Sequence, residues 1–222
     1  MNESTISITV DYYTDILCVW AWIAQPRLEE LQKHWKNKVC VKHRFVDIFG
    51  DSYRKIPAAW GERDGFEKFQ AHVQHAAEKF EEARIHHAIW TRTRPRSSMQ
   101  AHLLLRAVEI VAGPTQLEKL ALRIRRAFFC DALDVSDMDL LLELAQEASV
   151  DANSLRESLY SGEAMADLSR DLRAAQESGV RGSPTWVLNE GRQVLYGNVG
   201  NRILNVNIEE LRNNPAEETS CC

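Results

Sequence analysis

A cysteine becomes a nucleophile when its thiol ionises, and one position in this chain suits that chemistry. Cys18 stands where the alternating run Ile6-Ser-Ile-Thr-Val10, continued through Asp11-Tyr12-Tyr13 and a break at Thr14-Asp15, gives way to a helical pattern starting near Val19. Helix N-termini carry partial positive charge and unpaired N–H groups, which favour a thiolate and lower its pKa. The thiolate is the attacking species in disulfide exchange, so such a position needs no dedicated base. An inert structural cysteine fits the same place, and position alone does not choose between the two. The second feature is Gly179-Val-Arg-Gly-Ser-Pro184-Thr, where two glycines and a small serine lead to a proline just ahead of a strand. This pattern predicts a tight turn whose Ser183–Pro184 bond is open to the cis form.

These residues need elements to hold them. The first strand is followed by a helix whose apolar face carries Trp22, Ile23, Leu28, Leu31 and Trp35, with a kink expected at Pro26. Val39-Cys-Val-Lys-His-Arg-Phe-Val46 reads as a second strand, so the opening is a βαβ unit with parallel strands. Then comes a helical stretch. Phe66, Phe69, Val73, Ala76, Phe80 and Ala83 recur at helical spacing. Further helices are expected after Ser98, Thr115, Ser136, Asp151 and Gly162. Thr185-Trp-Val-Leu188 and Gln193-Val-Leu-Tyr196 predict a hairpin, and Ile203 to Arg212 a closing helix. The fold class is therefore α/β, βαβ at one end and ββα at the other, with an all-helical insertion. The domains divide as 1–52 with 180–222, and 53–179.

Composition narrows the function. The 222 residues carry 27 Lys plus Arg against 32 Asp plus Glu, and the net charge of −5 gives no general reason to bind nucleic acid or anionic lipid. An apolar share of 45% excludes general disorder. The charge-free run from Ile16 to Pro26 is about half the roughly 20 residues of a membrane span. The first basic residue is Arg27, so no secretory signal is expected and the cytoplasm is the expected compartment. Five cysteines, at 18, 40, 130, 221 and 222, have no zinc spacing and read as free thiols there. No metal is expected.

The chain resembles thioredoxin-fold proteins of the DsbA family. Their Asp-x-x-Cys-x-x-Cys entry corresponds to Asp15-Ile-Leu-Cys18-Val-Trp20-Ala21, and their Gly-Val-x-Gly-x-Pro-Thr strand to Gly179 through Thr185. Ser97-Ser-Met-Gln-Ala-His102-Leu-Leu looks like the family's Asn-Ser-x-x-Ala-His-x-Leu-Leu segment. Arg126-Ala-Phe-Phe129 with Asp134-Val-Ser-Asp137 is similar to another recurrent segment. The resemblance implies a thioredoxin-like fold, a cis Ser183–Pro184 bond and a thiol–disulfide oxidoreductase with Cys18 as its catalytic residue. Ala21 stands where the family has its resolving cysteine, so exchange should need glutathione or another thiol as co-substrate. The partner would be a small thiol or disulfide, or a protein disulfide, with no tightly bound cofactor and room for a homodimer. Kappa-class glutathione transferases and hydroxychromene-carboxylate isomerases share the insertion and usually carry Ser at the Cys18 position. By analogy with them, glutathione would meet Trp20, Ser183, Pro184 and Asn198, with Gly197 to Gly200 at its γ-glutamyl end. A non-catalytic binding module is the other class of reading.

Other candidates carry blander expectations. Cys40 and Cys130 read as core thiols, and Cys221-Cys222 as a polar, loose tail. His72, His75, His86 and His87 read as solvated, and His102 as a helix-packing residue. Arg92, Arg94 and Arg96 read as a solvated loop.

Overall fold

The strand periodicity near the N-terminus places alternate residues of one segment on opposite faces, and the sheet follows from it. A computed structural model describes residues 8–214. Strand β1 (Ile8–Thr14) pairs in parallel with β2 (Val39–Phe45), Val10 opposite Val41. On its other side β1 runs antiparallel to β3 (Thr185–Leu188), which forms a hairpin with β4 (Gln193–Tyr196). The order is β2-β1-β3-β4, so the two ends of the chain share one mixed sheet.

Ile8, Val10 and Tyr12 of β1, with Trp186 and Leu188 of β3, pack under α2 (Gln25–Trp35) and α10 (Asn201–Asn213). Tyr13 and Val187 face the other way and meet Ala175 and Val180. Ala175 belongs to α9 (Glu163–Glu177). Between β2 and β3 lie α3 (Ser52–Trp60), α4 (Gly65–Ala77), α5 (Met99–Ala112), α6 (Pro114–Phe129), α7 (Met138–Glu147), α8 (Ala152–Tyr160) and α9. Their apolar faces form one large core with the junction Ile16–Ile23. The expected helical insertion is present, and the protein is α/β.

Several local expectations are corrected. The first helix does not kink at Pro26. It is two helices, α1 (Val19–Ile23) and α2, joined at Ala24, with Pro26 in the first turn of α2, where a missing N–H costs nothing. Helix α4 stops at Ala77, so Phe80 and Ala83 lie beyond it, and α3 is an element the periodicity did not mark. Cys40 is exposed rather than a core thiol. In the edge strand β2, Val39, His43 and Phe45 point inward while Cys40 and Lys42 face out. Arg94 is not simply solvated, since it pairs with Glu67 at 2.8 Å and lies over the Phe66 ring. Cys221 and Cys222 lie outside the described residues.

Candidate functional site

Cys18 is the residue before α1, extended at φ −78°, ψ 119°, and the turn leading to it is built by Asp15. The Cys18 N–H donates to the Asp15 carbonyl at 3.1 Å, and the Leu17 N–H to Asp15 Oδ1 at 2.9 Å. The other carboxylate oxygen accepts from the Ile48 N–H at 3.1 Å, the Phe49 N–H at 2.9 Å and the Ser98 hydroxyl at 2.8 Å. Asp15 thus ties the β1–α1 turn to the loop after β2 and to the start of α5. Ser98 does not cap its own helix with its side chain. Its hydroxyl is spent on Asp15.

His102, one turn along α5, accepts the Ile16 N–H on Nε2 at 3.1 Å and stacks on Phe45. Burial, first, pushes its pKa down to about 4, although the nearby Asp15 carboxylate pulls the other way. A neutral ring with its proton on Nδ1 is what an Nε2 acceptor requires. His102 packs as expected, and it also holds the turn.

Ser183 meets the thiol from the other strand. The Cys18 thiol donates to the Ser183 carbonyl at 3.0 Å, and the Asp15 N–H donates to Ser183 Oγ at 2.9 Å. The Ser183–Pro184 peptide bond is cis. The Pro184 carbonyl accepts the Gly197 N–H at 2.8 Å, which ties this turn to the loop carrying Asn198. The structure therefore brings Cys18, Ser183 and Pro184 together. Asn198 is held elsewhere, its Oδ1 accepting from Arg27 of α2. Trp20 is 38% exposed on α1, and it is its backbone, not its indole, that interacts with the Cys18 thiol.

The expected acidic thiol is not found. Cys18 is only 6% exposed, and burial raises its pKa above the ordinary value, offset in part by interactions with Ser183 and the backbone of Ala21 and Trp20. A five-residue helix offers few aligned peptide dipoles, and the Asp15 carboxylate adds to the upward push. Ala21 is fully buried where a second thiol would stand.

Trp22, one turn after Cys18, stacks on Phe129 and donates its indole N–H to the Arg84 carbonyl at 3.2 Å. Cys130 lies 3.8 Å from the same carbonyl, half-buried as a packing thiol. Trp22 also lines a cleft of about 400 Å³ with Arg27, Phe80, Leu122, Arg126 and Asn201; Cys18 is not among its lining residues. Among the described residues, no three His, Cys, Asp or Glu side chains gather as a metal-ligating group. No helix among them is long and apolar enough to cross a membrane.

Sequence reasoning missed Arg125, which is 1% exposed and tied to Thr14 at the start of the turn that carries Cys18. Its Nη2 donates to Thr14 Oγ1 at 2.7 Å and its Nη1 to Gln25 Oε1 at 3.3 Å. The signal was a charge inside the apolar stripe of α6, four residues after Ala121 and four before Phe129.

The model of the DSBA-like thioredoxin domain family matches residues 9–206. No curated protein matches the chain. Among solved structures, a candidate protein disulfide isomerase from Nitrosomonas europaea is 16% identical, with TM-score 0.78, over 92% of this chain and 97% of that one. A probable DsbA oxidoreductase from Streptomyces coelicolor is 21% identical, with TM-score 0.70, over 97% and 94%. The cytosolic disulfide reductase DsbM from Pseudomonas aeruginosa, solved with GSH, is 19% identical, with TM-score 0.59, over 92% and 96%. At these identities the likeness is one of fold.

Proposed function

The chain belongs to the DSBA-like thioredoxin domain family, and from that premise we propose that it is a thiol–disulfide oxidoreductase working through Cys18 alone, with glutathione or another small thiol as co-substrate. One arrangement carries the reading: Cys18 faces Ser183 at the strand-to-helix junction, and Ala21 stands one helical turn on. The Cys18 thiolate attacks one sulfur of a disulfide. A Cys18 mixed disulfide forms as the S–S bond breaks, and the departing thiolate takes a proton from water. With no second cysteine in line, an external thiolate must attack the mixed disulfide. It forms a new disulfide with the bound half and leaves Cys18 reduced. Electrons pass from the incoming thiols to the substrate disulfide, with no net change in the protein.

Ser183 and Pro184 lend backbone to the bound half, and Trp20 covers it. The loop at Asn198 receives a carboxylate end at the start of α10, which Gly200 precedes without a side-chain cap. Free Cys18, Cys40 and Cys130 favour the cytoplasm as the working compartment.

The cleft beside Trp22 favours a second reading, a glutathione-dependent transferase or isomerase whose other substrate sits there. Incubation with glutathione disulfide and intact-mass analysis separates the possibilities. The oxidoreductase gives one glutathione adduct on Cys18, removed by excess thiol, abolished by Cys18→Ser and self-clearing in Ala21→Cys. Conjugation of glutathione to an electrophilic arene without disulfide turnover supports the transferase. An adduct only on another cysteine, with Cys18 unmodified and no conjugation, leaves a binding module.

A further inference from the structure

Arg125 poses a physical problem that the reaction above does not use. Its guanidinium is buried, yet among the described residues it has no carboxylate within ion-pair distance. Its two hydrogen-bond partners are a hydroxyl and an amide oxygen, and Nε has no partner. A buried cation without an anion is among the most costly arrangements in a protein interior. The other buried arginine, Arg106, is paired with Asp171 and Glu109.

The groups around Arg125 and Cys18 that could carry or feel charge are few. Tyr12 comes from β1 and Asp15 from the turn after it, His43 from β2 and His102 from α5. Both histidines are held neutral by burial, and burial pushes Tyr12 up to about 12. The Asp15 carboxylate attracts Arg125 only at a distance, because its oxygens are taken by the Ile48 and Phe49 N–H groups, the Ser98 hydroxyl and, in its own turn, the Leu17 N–H. Cys18 remains, the one group here that must become negative in exchange. Thr14, to which Arg125 is anchored, precedes Asp15 in the turn that carries Cys18. Gln25, its other anchor, opens α2 just beyond α1.

We propose that Arg125 is a positioning residue, the built-in counter-charge of the Cys18 thiolate, anchored by Thr14 and Gln25 so that its charge is uncommitted until the thiol ionises. The inference rests on Cys18 being the reacting thiol. It explains how a buried sulfur can hold negative charge: the proton leaves to water, and a cation anchored to Thr14, at the start of the turn that carries Cys18, interacts with the sulfur through a low dielectric.

The test uses the full chain with Cys40, Cys130, Cys221 and Cys222 changed to Ser, so that Cys18 alone reacts. Alkylation by iodoacetamide is followed against pH. Arg125→Met should leave the fold at least as stable, because it removes an unpaired buried charge. It should raise the midpoint of the alkylation profile by about one pH unit, a roughly tenfold slowing below both midpoints, while Arg125→Lys keeps most of the rate. A folded Arg125→Met protein with an unmoved midpoint overturns the proposal, even if the parent still forms its Cys18 adduct. A parent that forms none removes the reading beneath it instead. Should the Arg125 variants not fold, Cys18→Asp and Cys18→Asn decide with Arg125 intact. A waiting cation makes Cys18→Asp the more stable at pH 7, an advantage lost as pH falls and the carboxyl protonates. Cys18→Asp less stable than Cys18→Asn at pH 7 overturns the proposal.

Discussion

Two buried carboxylates hold this molecule together, and they are satisfied in opposite ways. Asp171 on α9 sits among cations: Arg106 Nε lies 3.0 Å from one oxygen, Arg44 Nη1 3.1 Å from the other, and the Phe45 N–H completes the set. Asp15 has no cation within hydrogen-bond reach and is held by three backbone amides and one hydroxyl. The first arrangement neutralises charge and staples the inserted helices to the edge strand. The second fixes a backbone turn and makes no ion pair with the nearby Arg125, which bonds Thr14 and Gln25 instead. The first cluster cancels its field locally; the second keeps anion and cation apart beside the thiol proposed to react.

The largest effect should come from Asp15. Asp15→Ala strands four donors in a dry environment and frees the turn that carries Cys18. The expected loss is about 4 kcal/mol in urea unfolding, since removing one partner from a buried charged network leaves the rest uncompensated. A loss under about 1 kcal/mol would mean that water reaches these donors and that the contrast with Asp171 is unfounded.

Acid pH probes the same side of the comparison. His102 is neutral when folded down to a pKa of about 4, whereas an unfolded histidine titrates near 6.5. The unfolded chain therefore binds the extra proton between these values. The stability is fully present above about pH 6.5 and lost as pH falls toward 4, roughly 3 kcal/mol from this residue. His43, depressed to about 3 mainly by burial, adds loss of the same sign. His102→Gln should flatten part of that limb in denaturation measured stepwise from pH 7 to 4.5. An unchanged slope would show that His102 already carries its proton when folded. Asp171 works with the opposite sign: burial raises its carboxyl, so that contribution is present below the unfolded value and fades as pH rises through the folded one.

The sequence exposed these two regions unequally, for reasons that lie in the residues. Alternation in Ile6–Val10 and Val39–Val46 and helical spacing in Met99–Ile110 report which face is buried, so the order of strands and helices could be read. The Cys18 and Ser183-Pro184 elements could be read from their punctuation, and the structure puts them in contact. Side-chain commitments were harder. Ser98 looks like a cap because hydroxyls before helices usually cap, yet its partner, Asp15, lies in a different element. Arg125 hides in Arg123-Ile-Arg-Arg126, where composition does not single out the one arginine that α6 turns inward to Thr14. The Cys18 pKa followed a general rule about helix ends that burial overrides, and Cys40 was misplaced because alternation does not say whether a strand is an edge.

Asp171→Asn comes next. The amide oxygen can still accept the Phe45 N–H, but the charge facing two guanidinium groups is gone. Arg44 retains Asp11 at 2.9 Å and Arg106 retains Glu109, so the expected loss is about 2 kcal/mol rather than that of a stranded charge. Glutathione adduct formation on Cys18 should not change, because the cluster acts through the inserted helices and not through the thiol. A slowed adduct in a folded Asp171→Asn protein would join the two regions and break the comparison.

The smallest effect is expected at Arg44. Its side chain is 34% exposed and bridges Asp11, itself partly exposed, and Asp171. Solvent screens the outer half of this bridge, and exposed pairs contribute at most about 1 kcal/mol. In Arg44→Met the Asp171 carboxylate keeps Arg106 and the Phe45 amide, so it is not left bare. The expected cost is therefore about 1 kcal/mol, shrinking further in high salt, where rim electrostatics weaken and buried pairs do not. Urea unfolding at low and high ionic strength measures both. A loss above about 3 kcal/mol that ignores salt would mean that Arg44, not Arg106, balances Asp171. The edge cluster would then depend on one cation as the thiol is proposed to depend on Arg125.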